Sequence, residues 1–239
     1  MSSLFISDLH LEDSRPDALQ WLLSFLSGPA RRADALYILG DLFEYWIGDD
    51  AAPPAALELA RHTRELAAAG VSCRFIHGNR DFLLGESYAA AASLKLLPET
   101  CVVDLYGTPT LLLHGDTLCT DDVEYQAVRR QTRDPAWQAT VLALPAEQRQ
   151  RMAAEARDAS RKHTGSAAMD IMDVNEAAVV DAFRRHSVPR MIHGHTHRPA
   201  VHHHDLGGGA IGERIVLADW YARGSYLEVT AQGARSIDL

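Results

Sequence analysis

The sequence predicts an α/β fold, and two observations carry that prediction. Short apolar runs alternate with stretches of helical period through the first hundred residues, and five such runs along the chain stop abruptly in a polar cluster. In sheets of this kind ligands bind beyond the carboxyl ends of the strands, where loops from several strands converge. Length agrees, because 239 residues suffice for one sizeable α/β domain with its own core and are few for two.

Taken in order, Ser3 to Ser7 (SLFIS) reads as a strand that ends at Asp8. Residues 16–27 (PDALQWLLSFLS) place apolar side chains at helical spacing, with a proline at the start and Gly28-Pro29 as the stop. Ala35 to Leu39 (ALYIL) is a second strand and ends at Gly40-Asp41. Residues 54–69 form an alanine-rich helix, opened by Pro53-Pro54 and closed by Gly70. Val71 to Ile76 is a third strand and runs into His77-Gly78-Asn79-Arg80-Asp81. Thr110 to Leu113 runs into His114-Gly115-Asp116, and Arg190 to Ile192 into His193-Gly194-His195-Thr196-His197. The stretch 121–187 carries no such cluster. It is arginine-rich and helical in pattern, and it reads as a helical insertion or lid followed by a core helix near 173–186. Residues 200–239 give β-type segments (ERIVLADW, SYLEVTA, RSIDL) joined by turns, one of them the glycine-rich 207–212. That turn opens no helix, so it does not read as a dinucleotide loop.

Composition narrows the function classes. A hydrophobic content of 47% and a charged content of 23% are ordinary for a soluble globular chain. A formal net charge of −9 disfavours broad electrostatic binding, so no nucleic-acid partner is expected. The first residues show no basic segment followed by an apolar one, and no window reaches the roughly 18 apolar residues of a spanning helix. A cytoplasmic location is the expectation, and no obligate protein partner is evident. Cys73, Cys101 and Cys119 form no CxxC pair and leave an odd count, which reads as reduced thiols without a role.

The chemistry lies in the strand-end clusters. Asp8 and His10 are two residues apart, a spacing that on extended chain points both side chains to one side. Asp41 offers two oxygens that can bridge two cations, Asn79 a neutral carbonyl oxygen, and His114, His195 and His197 imidazole nitrogens. Gly40, Gly78, Gly115 and Gly194 recur beside them and let the backbone turn tightly and approach closely. Oxygen and nitrogen donors without thiolate suit Mn²⁺, Fe²⁺ or Zn²⁺. Two such ions roughly 3.5–4 Å apart clamp a phosphoryl group and activate water. Each cluster alone is commonly a mere turn; five of them, in the order DxH, GD, GNRD, HGD and GHTH, point to a two-metal phosphohydrolase. No Ser/His/Asp or Cys/His arrangement competes. His193 is expected to support its loop, and Asp116 and His77 to orient ligating histidines or shape turns.

This pattern resembles the calcineurin-like metallophosphoesterase family. The stretches ISDLHL, ALYILGDLFEYWIGDD, FIHGNRDFLLG, LLHGDTLCTDD, IMDVN and IHGHTHRPAVH extend the resemblance over nearly the whole chain, toward the branch that cleaves a lipid-linked nucleotide sugar. The resemblance implies a four-layer αββα sandwich in a single domain over 1–239, with the helical lid at about 121–168. It implies that Asp8, His10, Asp41 and His197 hold one ion and Asp41, Asn79, His114 and His195 the other, with Mn²⁺ favoured. It implies Asp41, Asn79, Arg80 and His195 as catalytic residues. The implied reaction is water attack on the α-phosphorus of UDP-2,3-diacylglucosamine, giving UMP and 2,3-diacylglucosamine 1-phosphate at the cytoplasmic face of the inner membrane, with the protein peripherally attached. Implied substrate contacts are Asn79, Arg80, Asp122, Ser160, Thr164, Ala167 and His195. The family pattern commonly has Asn at 164 and Lys at 167; Thr164 keeps a hydrogen-bonding group, and Ala167 does not.

Arg80 supports a pyrophosphate from the residues themselves. Many phosphatases of the superfamily have GNH where this chain has Gly78-Asn79-Arg80. Arginine donates no proton usefully at neutral pH, but its fork holds phosphate oxygens, and a phosphate leaving group needs little acid help. The competing reading is an ion pair with Asp81. In the insertion, Trp137, Val141, Leu142 and Leu144 read either as core packing or as a path for acyl chains. Arg149, Arg151, Arg157, Arg161 and Lys162 make it basic, which reads as a solvated face or as attraction to anionic substrate and phospholipid. Two further readings stand beside this one: the same machinery on a soluble nucleotide, and a non-catalytic binding scaffold of the same fold, which the complete ligand set argues against.

Overall fold

The computed structural model describes residues 1–166 and 173–239, with the helical backbone alone along 161–166. One sheet has six strands. Its centre is β1 (Ser3–Ile6), β2 (Ala35–Leu39) and β3 (Ser72–Ile76), parallel to one another and followed by β4 (Leu94–Leu96). Two antiparallel strands, β10 (Ser225–Thr230) and β11 (Gly233–Asp238), extend the β1 side. A second sheet runs β5 (Thr100–Leu105), β6 (Thr108–Leu113), β7 (Arg190–His193), β9 (Ala210–Val216) and β8 (Ala200–Gly207), parallel from β6 to β9 and antiparallel at both edges.

The side-chain alternation of the strands sorts the core into three slabs. Leu36 and Ile38 of β2 point to a slab shared with the helices α1 (Pro16–Ser27), α2 (Pro54–Ala68) and α3 (Glu86–Ala91). Tyr37 and Leu39 point the other way, into a slab with Phe5, Ile76, Leu112, Ile192 and Ile215. Leu111, Leu113 and Met191 leave the far face of the second sheet for Val179 and Phe183 of α7 (Glu176–His186). Three slabs separate four layers, helices–sheet–sheet–helix, as the family resemblance implies. β1 and β2 are buried along their whole length, which is why they read as unbroken apolar runs.

Several expectations are corrected. β1 ends at Ile6, so Asp8 and His10 stand beyond the strand; both have left-handed backbone (φ 56° and 50°), as do His195 and His197 (68° and 53°). The two-residue spacing therefore converges by loop geometry, not by strand alternation. β8 was not legible: AVHHHDLG is half solvent-facing at a sheet edge and shows no apolar run. β4 and β5 are short and polar on one face, and escaped for the same reason. The glycine-rich turn is narrower than 207–212, because β9 begins at Ala210 and Gly212 packs on Phe183.

The insertion forms α4 (Val123–Thr132), α5 (Pro135–Leu142) and α6 (Ala146–Ser166). Asp122 and Asp134 cap α4 and α5 by accepting Tyr125 N–H (2.9 Å) and Trp137 N–H (2.9 Å), a contribution of about 1 kcal/mol each. Part of the basic character of the segment is spent internally. Arg149 is 3% exposed and donates to the Ile47 carbonyl and to both oxygens of Asp50. Arg157 pairs with Glu12 (3.3 Å) and Glu44 (3.1 Å). These two arginines tie α6 to the loops beside the strand ends and do not form a free cationic face; Arg151 is exposed, and the side chains of Arg161 and Lys162 lie outside the described residues. Val141 joins the first slab and Trp137 packs on Phe82, whereas Leu142 is 41% exposed.

Candidate metal centre

The loops after β1, β2, β3, β6 and β7 bring the seven candidate ligands together. In one group His197 Nε2 lies 3.4 Å from Asp8 Oδ1 and 3.4 Å from His10 Nε2, and His10 Nε2 lies 3.8 Å from Asp41 Oδ2. In the other, Asp41 Oδ1 lies 3.6 Å from His114 Nε2, which is 2.9 Å from Asn79 Oδ1, with the His195 ring 5.0 Å from that of His114. The two oxygens of Asp41 thus face two separate sets of donors. Asp8, His10, Asp41 and His114 are all nearly inaccessible.

The backbone is built for this convergence at a cost in strain. Among the described residues eight non-glycine positions have positive φ, and five of them are Asp8, His10, Asp41, His195 and His197. Two glycines permit the close approach. A side chain at Gly78 would strike Asp41, and one at Gly194 would strike Asp8 and Ser7. Asp81 holds two of the loops in register: buried, it accepts Leu42 N–H (2.7 Å) and Gly78 N–H (2.8 Å). Its oxygens are spent on backbone, so the ion pair with Arg80 is not what Asp81 is for.

The donor set fits cations. His10 donates from Nδ1 to Glu44 (2.8 Å) and His114 from Nδ1 to the Leu39 carbonyl (2.8 Å), which turns each Nε2 lone pair inward. Asp8 Oδ2 accepts Ser7 Oγ–H (2.6 Å) and His195 N–H (3.0 Å), while its buried Oδ1 has no hydrogen-bond donor among the described residues. Lone pairs of Asp8, His10 and His197 therefore converge with little hydrogen between them, an arrangement that a divalent ion satisfies. The electrostatics agree. Burial opposes ionisation of Asp8, but the His197 imidazole beside Oδ1 and the fields of His114 and His10 outweigh it and hold the carboxyl far below the usual range. Burial lowers His114, yet the carboxylates of Asp41, Asp8 and Asp116 prevail and raise it to about 9. His195 falls to about 4, through burial and the neighbouring His114.

The supporting residues follow. His193 is fully buried and donates from Nδ1 to the Gly194 carbonyl (2.8 Å), the loop-supporting place expected of it. His77 bonds the Leu84 carbonyl (2.7 Å) and shapes a turn. Asp116 accepts Tyr125 O–H (2.8 Å) and Arg129 Nε–H (2.8 Å), so its partners come from α4 and are not ligating histidines. Arg133 of the same insertion donates to the Gly78 carbonyl (2.9 Å).

Beside Asn79 and Arg80 a cavity of about 340 Å³ opens under the insertion, lined by Trp46, Phe82, Trp137, Val141, Met152 and Ser160 among others. Arg80 stands at the junction with Nε free of any hydrogen-bond partner among the described residues, and its Nη2 lies 3.5 Å from Ser160 Oγ. Trp137 and Val141 both pack on the core and line the cavity; Leu142 and Leu144 do not line it. Asp122 serves as the α4 cap and is not among the lining residues. The side chain of Thr164 and all of Ala167 lie outside the described residues. Sequence reasoning missed Glu44, Tyr125 and Tyr221. Glu44 follows Asp41 by three residues and Tyr125 lines the cavity, while Tyr221, stacked on His10 at 5.3 Å, comes from the far end of the chain and carries no local signal.

Comparison with known proteins adds the family. The family model described as calcineurin-like phosphoesterase matches residues 1–199. The chain is 53% identical over 240 residues to the UDP-2,3-diacylglucosamine hydrolase of Stenotrophomonas maltophilia (strain K279a), covering 98% of this chain and 96% of that one. It is 49% identical to the protein of the same name from Edwardsiella ictaluri (strain 93-146), covering 100% and 92%. With that from Yersinia enterocolitica serotype O:8 / biotype 1B the identity is 51%, covering 97% and 96%.

Proposed function

The chain belongs to the calcineurin-like phosphoesterase family and is a metal-dependent hydrolase, and from that premise we propose that it hydrolyses the pyrophosphate of UDP-2,3-diacylglucosamine to UMP and 2,3-diacylglucosamine 1-phosphate. One observation carries the choice of substrate: an apolar cavity, roofed by α4–α6, meets the candidate metal centre at Asn79 and Arg80. A substrate that fills both must join an anionic phosphate group to a bulky apolar part. A simple soluble nucleotide would leave the apolar wall that Phe82, Trp137 and Met152 present to the cavity uncovered.

In this reading Asp8, His10, Asp41 and His197 hold one Mn²⁺, and Asp41, Asn79, His114 and His195 the other. Two bound cations supply the charge that neutralises the phosphoryl oxygens and lowers the pKa of water. The residues do the rest. Glu44 and the Leu39 carbonyl fix the tautomers of His10 and His114. Arg80, with its buried Nε unspent, grips the pyrophosphate oxygens and orients the α-phosphorus. His195, neutral near pH 7, presents a lone pair without first losing a proton. Ser160 approaches the same anion through Arg80, while Asp122 bears on the site through the capping of α4. Tyr125 and Trp137 exclude water from the reacting end.

The mouth of the cavity accounts for how a lipid-linked molecule enters. Val128 and Met152 line it and are 56% and 38% exposed, with Val123 (68%) and Leu142 (41%) on the same insertion. We place this face against the cytoplasmic surface of the inner membrane, as a peripheral contact with modest affinity. No helix among the described residues is long and apolar enough to cross a membrane. The test is a pair of substrates, UDP-2,3-diacylglucosamine and UDP-N-acetylglucosamine, assayed with Mn²⁺ in mixed micelles. Turnover of the first with kcat/KM at least a hundredfold above the second supports the reading; equal turnover removes the lipid from it.

A further inference from the structure

Behind the metal loop, on the α7 side of the second sheet, sits a buried chain of polar groups that the hydrolytic reading does not use. Arg214 of β9 is 5% exposed and pairs in register with Met191 of β7, a member of the third apolar slab. Among the described residues its guanidinium bonds two imidazoles and no carboxylate: Nε donates to His204 Nε2 (3.1 Å) and Nη1 to His193 Nε2 (3.1 Å). A guanidinium can only donate, so both rings must accept at Nε2 and carry their proton on Nδ1. His204 then donates from Nδ1 to Glu176 Oε1 (2.6 Å), at the start of α7. His193 donates from Nδ1 to the Gly194 carbonyl (2.8 Å).

That carbonyl belongs to the Gly194–His195 peptide, and the peptide is held at both ends. Its oxygen takes His193 Nδ1–H and Thr196 N–H (2.8 Å), and its N–H donates to Asp8 Oδ2 (3.0 Å). The latter bond, with Ser7 Oγ–H, occupies Oδ2 and leaves Oδ1 facing His197. His195 meanwhile sits at φ 68°, a conformation that a non-glycine residue keeps only where neighbouring bonds enforce it. We propose that Arg214 is a positioning residue for the metal centre: through His193 it fixes the Gly194–His195 peptide, and so aims both the Asp8 carboxylate and the His195 ring. Arg214 also keeps His193 from ligating, since the Nε2 lone pair of that ring is already taken. The residue lies beyond the 1–199 stretch that the family model matches, and no metal motif includes it. The inference rests on the metal-ligand reading above.

The experiment measures Mn²⁺ binding by calorimetry to the metal-stripped full chain, its Arg214→Met variant and the double variant Arg214→Met/His193→Leu. Removing only the guanidinium orphans the His193 and His204 rings, whereas the double variant replaces Arg214 and His193 by an apolar pair, which cores tolerate, and leaves His204 its bond to Glu176. The double variant should therefore melt in EDTA at or near the wild-type temperature and still bind Mn²⁺ ten- to hundredfold more weakly, about the loss seen when groups that orient ligands are removed. Wild-type affinity in the folded double variant overturns the proposal. A double variant that does not fold also overturns it, because the pair then serves the core. A wild-type chain that binds no Mn²⁺ fails the metal reading itself, a result distinct from both.

Discussion

His114 makes metal uptake a proton-release reaction. Without metal, the carboxylates of Asp41, Asp8 and Asp116 hold this buried imidazole at about 9, so it is charged at neutral pH. A cation needs its Nε2 lone pair, and Nδ1 is committed to the Leu39 carbonyl. Binding at pH 7 must therefore expel the proton about two pH units below the group's pKa. At about 1.4 kcal/mol per unit, this costs roughly 2.7 kcal/mol, or on the order of a hundredfold in apparent affinity. Titration of the metal-stripped chain with Mn²⁺, between pH 6 and pH 9 in two buffers of different ionisation enthalpy, reads both quantities. The apparent Kd should fall about tenfold per pH unit and level off near 9, with about one proton released per chain at pH 7 and a further fraction from His197, which is also raised. A pH-independent Kd with no proton release would refute the reasoning. The same shift bears on the metal-free fold with a defined sign. A histidine raised above its unfolded value stabilises fully below about 6.5, and that stability is lost as pH rises through about 9.

Other outcomes follow from the same geometry. His193 is lowered to about 3 by burial and by Arg214, so the unfolded chain takes its proton first; stability should be complete above about 6.5 and fall as the pH drops toward 3, by at most about 5 kcal/mol, in denaturant melts across that range. Glu44→Gln weakens the bond that orients His10 and should reduce Mn²⁺ affinity ten- to hundredfold while leaving the far-UV spectrum unchanged, by calorimetry and circular dichroism. Trp137→Ala should lower kcat/KM on the diacylated substrate by about 10–100-fold, chiefly through KM, since a lost aromatic contact in an apolar cavity is worth about 1–3 kcal/mol; a substrate without acyl chains should not register the change.

The sequence exposes much of this site because its candidate ligands sit in short motifs directly after buried strands. A run such as ALYIL followed by GD marks both a strand end and a carboxylate, so Asp41 is legible without any tertiary information. The reason given for Asp8 and His10 was wrong even though the two converge: left-handed backbone, which no alternation pattern reveals, turns them together. Other residues reach the site through packing alone. Tyr221 stacks on His10 from more than two hundred residues away, and Arg129 reaches Asp116 from α4. Two arginines of the basic insertion were misleading for a related reason, since composition counts Arg149 and Arg157 as surface charge and only the fold pairs them with Asp50, Glu12 and Glu44. β8 stayed invisible because an edge strand with one wet face need not be apolar.

The central claim is hydrolysis at one particular phosphorus of a lipid-linked nucleotide sugar. Incubation of the Mn²⁺-loaded protein with UDP-2,3-diacylglucosamine in ¹⁸O-water, followed by mass spectrometry of both products, tests it directly. The account predicts one ¹⁸O in UMP and none in 2,3-diacylglucosamine 1-phosphate. Label in the sugar phosphate would contradict attack on the α-phosphorus, and absence of turnover would contradict the substrate.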